Sequence, residues 1–340
     1  MDDRTPDKDV LVIGAGLIGA MIANQLANGG RRVAVVDAQK TAQAATRRAV
    51  GIATPHLTGD HSADTVRGVD LITNLALRLA VSPRACRVMH LASDPVESDA
   101  LRAVCEERKG QRPKVLWESK PGAVPAGFNG GMVAHNSVLI DLEVLTVRLL
   151  QHPNITVHED IEIQTLDASN GRLRALAAGY TVQANAIVLA TNAYAGLLSP
   201  YLGDAIHLVR GVTWSSKPLD RDQQLLERVL QAIPMPLIID DGRLVMAQTR
   251  DWRLRIFARS ADPQRDPAVD IAAFLHTHAP ELAAHTEEWR YGVTSITADN
   301  APLTGRLAGA GAVVYALGAG MYGPAWAPII AERVQALTEA

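Results

Sequence analysis

Cysteine is scarce. Cys86 and Cys105 are the only two in 340 residues, they form no CxxC pair, and no histidine stands at metal-ligand spacing. That argues against a disulfide framework and a zinc site, and fits a reduced, cytoplasmic setting. Neither sign of charge dominates: 33 Lys and Arg face 36 Asp and Glu, a net charge of -3. With its arginines scattered, the chain carries no electrostatic footprint for nucleic acid or an anionic membrane. The opening MDDRTPDKD lacks the positive n-region of a secretion signal. Three glycines, Asn24 and Gln25 interrupt the apolar stretch from Val10 to Ala27, so no membrane span is expected. Repeats and low-complexity linkers are absent. Aromatic residues make up only 4%. What is present is a globular chain, 48% hydrophobic, long enough for two domains or one large one. The partner expected is a small molecule, with homo- or hetero-oligomerisation left open.

The most informative stretch runs from Val10 to Asp37, VLVIGAGLIGAMIANQLANGGRRVAVVD. Val10 to Ile13 read as a strand buried on both faces of a parallel sheet. Glycines follow at Gly14, Gly16 and Gly19. Gly14 allows a tight turn, Gly16 lets a pyrophosphate approach the backbone, and Gly19 lets a new helix press on the strand. The first N–H groups of that helix, from Gly16, Leu17 and Ile18 onward, have no partner within it, and its dipole favours a diphosphate there. The helix ends at Gly29 and Gly30. A second strand, Val33 to Val36, finishes on Asp37, whose carboxylate can accept from both hydroxyls of an adenosine ribose, with Ala38 beside it. The same charge repels a 2′-phosphate. A GxGxxG alone is also what an ordinary glycine-rich turn offers; here strand, turn, helix, second strand and terminal acid come in order. The motif does not separate FAD from NAD.

Residues 38 to 57 read as a loop, followed by a helix over about Ser62 to Ala80. Within the loop, Thr46-Arg47-Arg48-Ala49-Val50-Gly51-Ile52-Ala53-Thr54-Pro55-His56 resembles the S/T-x-x-A-x-G-(I/M)-x-x-P segment of the D-amino acid oxidase, glycine oxidase and sarcosine oxidase family, where this loop wraps the flavin. Four further stretches agree. MVAHNSVLIDLEVLTVRLLQHPNITVHED, from Met132, resembles the family's return path, with Asp141 as a helix N-cap, a helix Leu142 to Leu150 and a strand Ile155 to His158. A buried strand ending in Ala190-Thr191-Asn192-Ala193 resembles the ATG or ATNA turn that passes close to the cofactor. Trp289, Gly292, Asp299, Pro302 and Gly305 resemble the W-x-G-(L/V)-R-x-x-T-x-D-x-x-P-x-(I/L)-G block, with one register insertion. The run Gly318-Ala319-Gly320-Met321-Tyr322-Gly323 resembles the glycine ending that closes over the flavin.

The resemblance implies a Rossmann-like α/β domain holding FAD, assembled from residues 1–80, 132–200 and 294–340. A largely antiparallel β-sheet substrate domain would come from 81–131 and 201–293. Strands are expected as a small meander over 161 to 183, at 87 to 92, and at His207–Trp214, Leu237–Asp240, Arg243–Gln248 and Arg253–Arg259. A further helix should have Asp266 as its N-cap and run to Ala279. The implied chemistry is hydride transfer from a carbon bearing an amine nitrogen to the flavin, giving an imine that hydrolyses. A flavin-bearing subunit of a larger assembly, with an electron-transfer or structural role, is the alternative. No cysteine follows residue 105, so FAD should be held non-covalently.

Three departures mark the pocket. Thr294 stands where amino acid oxidases of this family place a carboxylate-binding arginine, Leu237-Ile238-Ile239-Asp240 lacks the usual tyrosine, and Ala319 replaces a common histidine. The substrate, its stereochemistry and the electron acceptor stay open. Replacement clamps are sought among Arg210, Arg253, Arg255, Arg259 and Arg290, although arginines on antiparallel strands usually face solvent. Arg210, His56, Tyr291 and Tyr322 are the catalytic candidates, beside an ordinary structural role for a lone histidine. Tyr291, Tyr322 and Trp326 could wall the pocket, or in the case of Trp326 simply pack the core.

Overall fold

The computed structural model describes residues 8–57, 61–120, 122–167, 173–310 and 312–339. Most of the acidic lead-in, and part of the expected meander, lie outside them. The chain opens as expected with β1 (Lys8–Ile13), α1 (Leu17–Asn28) and β2 (Val33–Val36). Val10, Leu11 and Val12 are fully buried, as a strand covered on both faces requires. The 38–57 loop holds a single-turn helix, α2 (Ala45–Arg48), and a two-residue strand, β3 (Ile52–Ala53). α3 (Ser62–Arg78) follows, then β4 (Arg84–Leu91), α4 (Pro95–Glu107), β5 (Val115–Glu118) and β6 (Gly131–Leu139). Prolines across 81–131 mask α4 in the sequence, yet its start is well specified. Asp94 caps it, accepting from the N–H groups of Val96 and Glu97, and Pro95 takes the first position.

The chain continues through α5 (Leu142–Leu150), capped by Asp141, then β7 (Ile155–His158), β8 (Thr165–Asp167), β9 (Leu173–Ala177) and β10 (Tyr180–Leu189). The last strand of the expected meander and the buried strand after it are thus one continuous element. Two short helices, α6 (Ala195–Leu198) and α7 (Pro200–Asp204), lead to β11 (His207–Ser216), α8 (Gln223–Ala232), β12 (Leu237–Ile239), β13 (Leu244–Gln248) and β14 (Leu254–Ser260). The remainder is α9 (Ala268–His278), β15 (Thr286–Ile296), β16 (Leu303–Arg306), β17 (Val313–Leu317) and α10 (Gly323–Glu339).

These elements form an α/β fold of two sheets. The first has eight strands, with β16-β17-β10-β1-β2-β7 as its main path and β8 and β9 attached at β10. Its centre is parallel: Val12 of β1 pairs with Val188 of β10 and Val35 of β2. α1, α3, α5 and α10 cover one face. Where α3 crosses α10, a Cβ on Gly68 would stand 1.8 Å from the Ala325 carbonyl oxygen, so only glycine permits that approach.

The second sheet has nine strands in the order β15-β11-β14-β13-β12-β4-β6-β3, with β5 on β6, and only its β4–β12 pair is parallel. Its outer face packs on α8 and α9 through Trp214, Met246, Ile256 and Phe274. The return to the first sheet comes later than Met132. Gly131–Leu139 pairs with β4, β5 and β3, and so belongs to the second sheet. The physical reason is local: β6 pairs antiparallel with the preceding β5 and with β4, so the chain crosses back only at Ile140 and α5. Among the described residues, no helix is long and apolar enough to cross a membrane.

Candidate active site

The carboxyl ends of β1, β2, β10 and β17 meet at a cavity of about 520 Å³. Gly14 sits there at φ +114°, and a Cβ on it would lie 2.5 Å from the Ala190 carbonyl oxygen. Gly19 sits one turn into α1, where a Cβ would come within 1.9 Å of the Gly14 carbonyl oxygen. Both glycines are therefore demanded by close packing. Gly19 itself does not face the cavity, whereas Gly14, Gly16, Leu17 and Ile18 do. Gly16 is the N-cap of α1 and offers no side-chain cap. The Leu17 N–H instead donates to Thr46 Oγ1 at 2.9 Å, which ties the 38–57 loop to the mouth of the helix.

Asp37 and Ala38 line the same cavity. Asp37 accepts from the N–H groups of Ala15 (2.6 Å) and Gln39 (2.8 Å). Burial pushes its carboxyl above the usual aspartate range, partly offset by those two bonds. Ala190, Thr191 and Asn192 form one wall; Gly318, Gly320, Gly323 and Pro324 form another at the start of α10. Gly318 and Gly320 have φ of +71° and +54°, left-handed turns that bring backbone against the cavity. An uncapped helix N-terminus, a glycine turn with no room for side chains, and a carboxylate at the end of β2 fit the diphosphate and ribose of FAD.

A second cavity of about 110 Å³ adjoins the first, sharing with it Ala45, Ala49, Val293, Thr294, Gly320 and Pro324. Gly51, Ile52 and Met321 line this one. Its floor is the inner face of the second sheet, and strand alternation decides which residues reach it. Gly292, Gly211 and Arg259 are direct cross-strand partners, so Thr294, Phe257 and Val245 share their face. Tyr291 pairs with Val212 and Arg210 with Ser260, which puts both on the opposite face. Tyr291 is accordingly 55% exposed, and Arg210 is exposed and donates to the Pro263 carbonyl at 2.9 Å. Neither lines either cavity.

His56 and Tyr322 are brought together, but inside the core. Both are 5% exposed, and their rings stack with centroids 4.3 Å apart. Burial lowers the His56 pKa and raises that of Tyr322, whose hydroxyl faces the Asp241 carboxylate. They join the 51–57 loop to the start of α10 and line neither cavity. Trp326 is fully buried among the helices on the first sheet. Arg47 is absent from both linings as well; it bonds Gln43 and lies 3.8 Å from Glu143.

Of the five replacement arginines, only Arg259 lines the second cavity. Arg255 and Arg290 lie 3.9 and 3.8 Å from Glu143, and Arg253 is paired with Asp251 and Glu287. A residue not singled out by the sequence, Arg48, also lines it. Its guanidinium occupies the space over Gly292, where a Cβ would stand 2.3 Å from the guanidinium carbon. The signal available was an arginine inside the flavin-loop motif together with a glycine on β15, which only the fold joins. Among the described residues, no cluster of His, Cys, Asp and Glu could hold a metal.

A family model described as FAD dependent oxidoreductase (DAO) matches residues 9–337. Among curated proteins, none matches the chain's sequence. Solved structures match the fold throughout. Glycine oxidase from Geobacillus kaustophilus superposes with a TM-score of 0.82 at 19% identity, covering 98% of this chain and 95% of that one. L-proline dehydrogenase from P. horikoshii gives 0.79 at 18%, covering 97% and 93%. FAD-bound L-α-glycerophosphate oxidase from Mycoplasma pneumoniae gives 0.78 at 17%, covering 99% and 96%. The glycine cradle, the ribose-side carboxylate and the family match over nearly the whole length agree: the chain belongs to the DAO family of FAD-dependent oxidoreductases.

Proposed function

We propose that this protein oxidises the C–N bond of a small amine or amino acid, with FAD held non-covalently in the larger cavity. The observation that carries the reading is the junction of the two cavities at Thr294 and Gly320. A ring system reaching that junction from the glycine cradle would present one face to the smaller cavity. When bound, FAD would supply the hydride acceptor: as the carbon beside nitrogen lost a hydride, the nitrogen lone pair would close a C=N bond, and the iminium so formed would shed a proton and be hydrolysed by water. The protein binds and orients. The apolar walls from Val50, Ile52, Ile238, Val245 and Phe257 exclude bulk water and favour an uncharged amine, whose lone pair the reaction needs. Glycine oxidase and L-proline dehydrogenase, by name, act on such donors; glycerophosphate oxidase, by name, does not.

We assign the FAD-binding domain to residues 8–57, 61–80, 140–200 and 294–339, and the substrate-side floor to the second sheet. No observation favours a flavin-bearing subunit without a substrate, since a second cavity stands against the first. The test is anaerobic. Yellow protein is mixed with a panel of amines, D- and L-amino acids and glycerol phosphate, and bleaching of the flavin is followed without reference to any electron acceptor. Bleaching by members of the amine set supports the reading. Bleaching by glycerol phosphate alone, or colourless protein that cannot be reconstituted with FAD, overturns it.

A further inference from the structure

The smaller cavity is walled mainly by aliphatic and aromatic side chains, yet two guanidinium groups border it, Arg48 and Arg259. They differ in what they already hold. Arg259 donates to the carbonyls of Gly242 (3.1 Å) and Asp241 (2.6 Å), and lies 4.0 Å from the Asp241 carboxylate. It braces the turn between β12 and β13. Among the described residues the Arg48 guanidinium makes one hydrogen bond, to the Val293 carbonyl at 2.7 Å, and no carboxylate lies within ion-pair distance of it. Its neighbours Arg47, Arg255 and Arg290 all lie within 4 Å of Glu143. Arg48 alone of this group is turned away from that carboxylate and into the cavity.

The placement of Arg48 is built rather than incidental. Its own carbonyl accepts from Thr213 Oγ1 at 2.5 Å, and the Arg47 carbonyl accepts from Arg290 at 3.3 Å, so both ends of the peptide are pinned to the inner face of the second sheet. The bare backbone of Gly292 leaves the space its guanidinium fills. A half-buried cation held by a neutral carbonyl is poorly compensated for lost hydration, and burial accordingly pulls its pKa down. One of its five N–H donors is taken, leaving a planar fork free for a two-point contact. Ala45 and Ala49, on either side of it in the chain, line both cavities, so this fork lies beside the cavity junction.

We propose that Arg48 seats a carboxylate of the substrate, so that the donor is a small amino or imino acid held from α2 rather than from β15. This rests on the amine-oxidising reading above and names its substrate class. The compact volume and planar fork suit a carboxylate with a few attached atoms better than a bulkier phosphate ester.

The test is equilibrium binding, which needs no turnover and therefore fails or succeeds separately from that reading. FAD-loaded protein is titrated with acetate, with acetamide as a neutral isostere and with inorganic phosphate, by calorimetry and by the flavin's visible spectrum. Arg48→Gln should weaken acetate at least tenfold and leave acetamide within about twofold. Arg48→Lys should recover only part of the loss, because an ammonium cannot reproduce the two-point contact. Gly292→Ala, which leaves the arginine in the chain but fills its space, should also weaken acetate. Arg210→Gln, on the opposite face, serves as the control for charge alone. Acetate affinity unchanged in both Arg48→Gln and Gly292→Ala, an equal loss in Arg210→Gln, or phosphate binding through Arg48 more tightly than acetate would each overturn the assignment.

Discussion

Asn192 Oδ1 accepts two hydrogen bonds from Ser295, from its N–H at 3.0 Å and from its hydroxyl at 2.6 Å. Asn192 closes the turn after β10 in the first sheet, and Ser295 is a fully buried residue of β15 in the second. Its Nδ2 also reaches Thr294 Oγ1 at 3.2 Å. One amide therefore links the two sheets at the cavity wall. It does so from the left-handed region, φ +51°, which asparagine tolerates better than most residues.

Asn192→Ala should consequently cost on the order of 2 to 4 kcal/mol, the sum of an unpaired buried donor pair and a less tolerant residue at positive φ. The urea midpoint should fall, and FAD retention with it. A midpoint matching the parent protein would show that the two sheets hold together without this amide.

Asp37→Ala removes the acceptor for the Ala15 and Gln39 N–H groups as well as the carboxylate facing the cavity. FAD binding should weaken by about 1 to 3 kcal/mol, the range for hydrogen bonds to a charged acceptor. Fluorescence titration of the stripped protein with FAD measures this directly, and an unaltered dissociation constant would mean the ribose binds elsewhere.

Gly68 lines neither cavity, so Gly68→Ala tests the packing of α3 on α10 without removing a cavity contact. The new methyl would meet the Ala325 carbonyl at 1.8 Å, forcing α3 and α10 apart. Overpacking of this kind costs about 1 to 3 kcal/mol or more. The thermal midpoint should drop in the FAD-loaded protein and in the stripped protein alike. A drop confined to one form would place the effect at the cofactor instead.

Local signals explain what was legible in the sequence. β1, α1 and β2 carry their own boundaries, because a buried apolar run, three glycines with distinct jobs and a terminal acid lie within one continuous stretch. The same holds for Asp141 before α5 and for the antiparallel strands from β11 to β14. The misplaced residues share a different cause. Tyr291 stands beside the closing glycine block in the chain and Arg210 is a cation on the same sheet as the missing clamp, but a one-residue step along a strand reverses the face, and glycine at 292 and 211 hides the alternation. His56 and Tyr322 come from separate ends of the chain, and nothing local tells a core stack from a pocket wall. Arg48 was invisible for the opposite reason: its place is made by Gly292, far away in sequence, and only the packing of α2 on the second sheet brings the two together.

The two cysteines offer an independent check on burial. Burial pushes the Cys86 thiol up to about 12 and the Cys105 thiol up to about 11, so neither supplies thiolate near neutral pH. An aromatic disulfide reagent at pH 8 should label no thiol quickly in native protein and two after denaturation. Rapid native labelling would show that β4 or α4 opens more readily than its packing suggests.

His90 should make the protein acid-sensitive. It lies on β4, 6% exposed, and among the described residues its Nε2 has no hydrogen-bond partner. Burial, with a smaller contribution from the nearby His56, lowers its pKa from 6.5 to about 4. The folded state thus refuses a proton that the unfolded chain accepts. Above pH 6.5 both states are neutral at this site and its contribution is fully present. As the pH falls from 6.5 to 4 the unfolded state is progressively favoured, and below about 4 the loss levels off. At about 1.4 kcal/mol per unit, the whole window amounts to roughly 3 kcal/mol. His90→Gln, which cannot take up the proton, should flatten stability against pH across that window, whatever its effect on stability at pH 7. The comparison is urea unfolding at half-unit steps from pH 4 to 8. Parallel curves for the two proteins would mean that His90 is hydrated in solution, and that the acid sensitivity belongs to other groups.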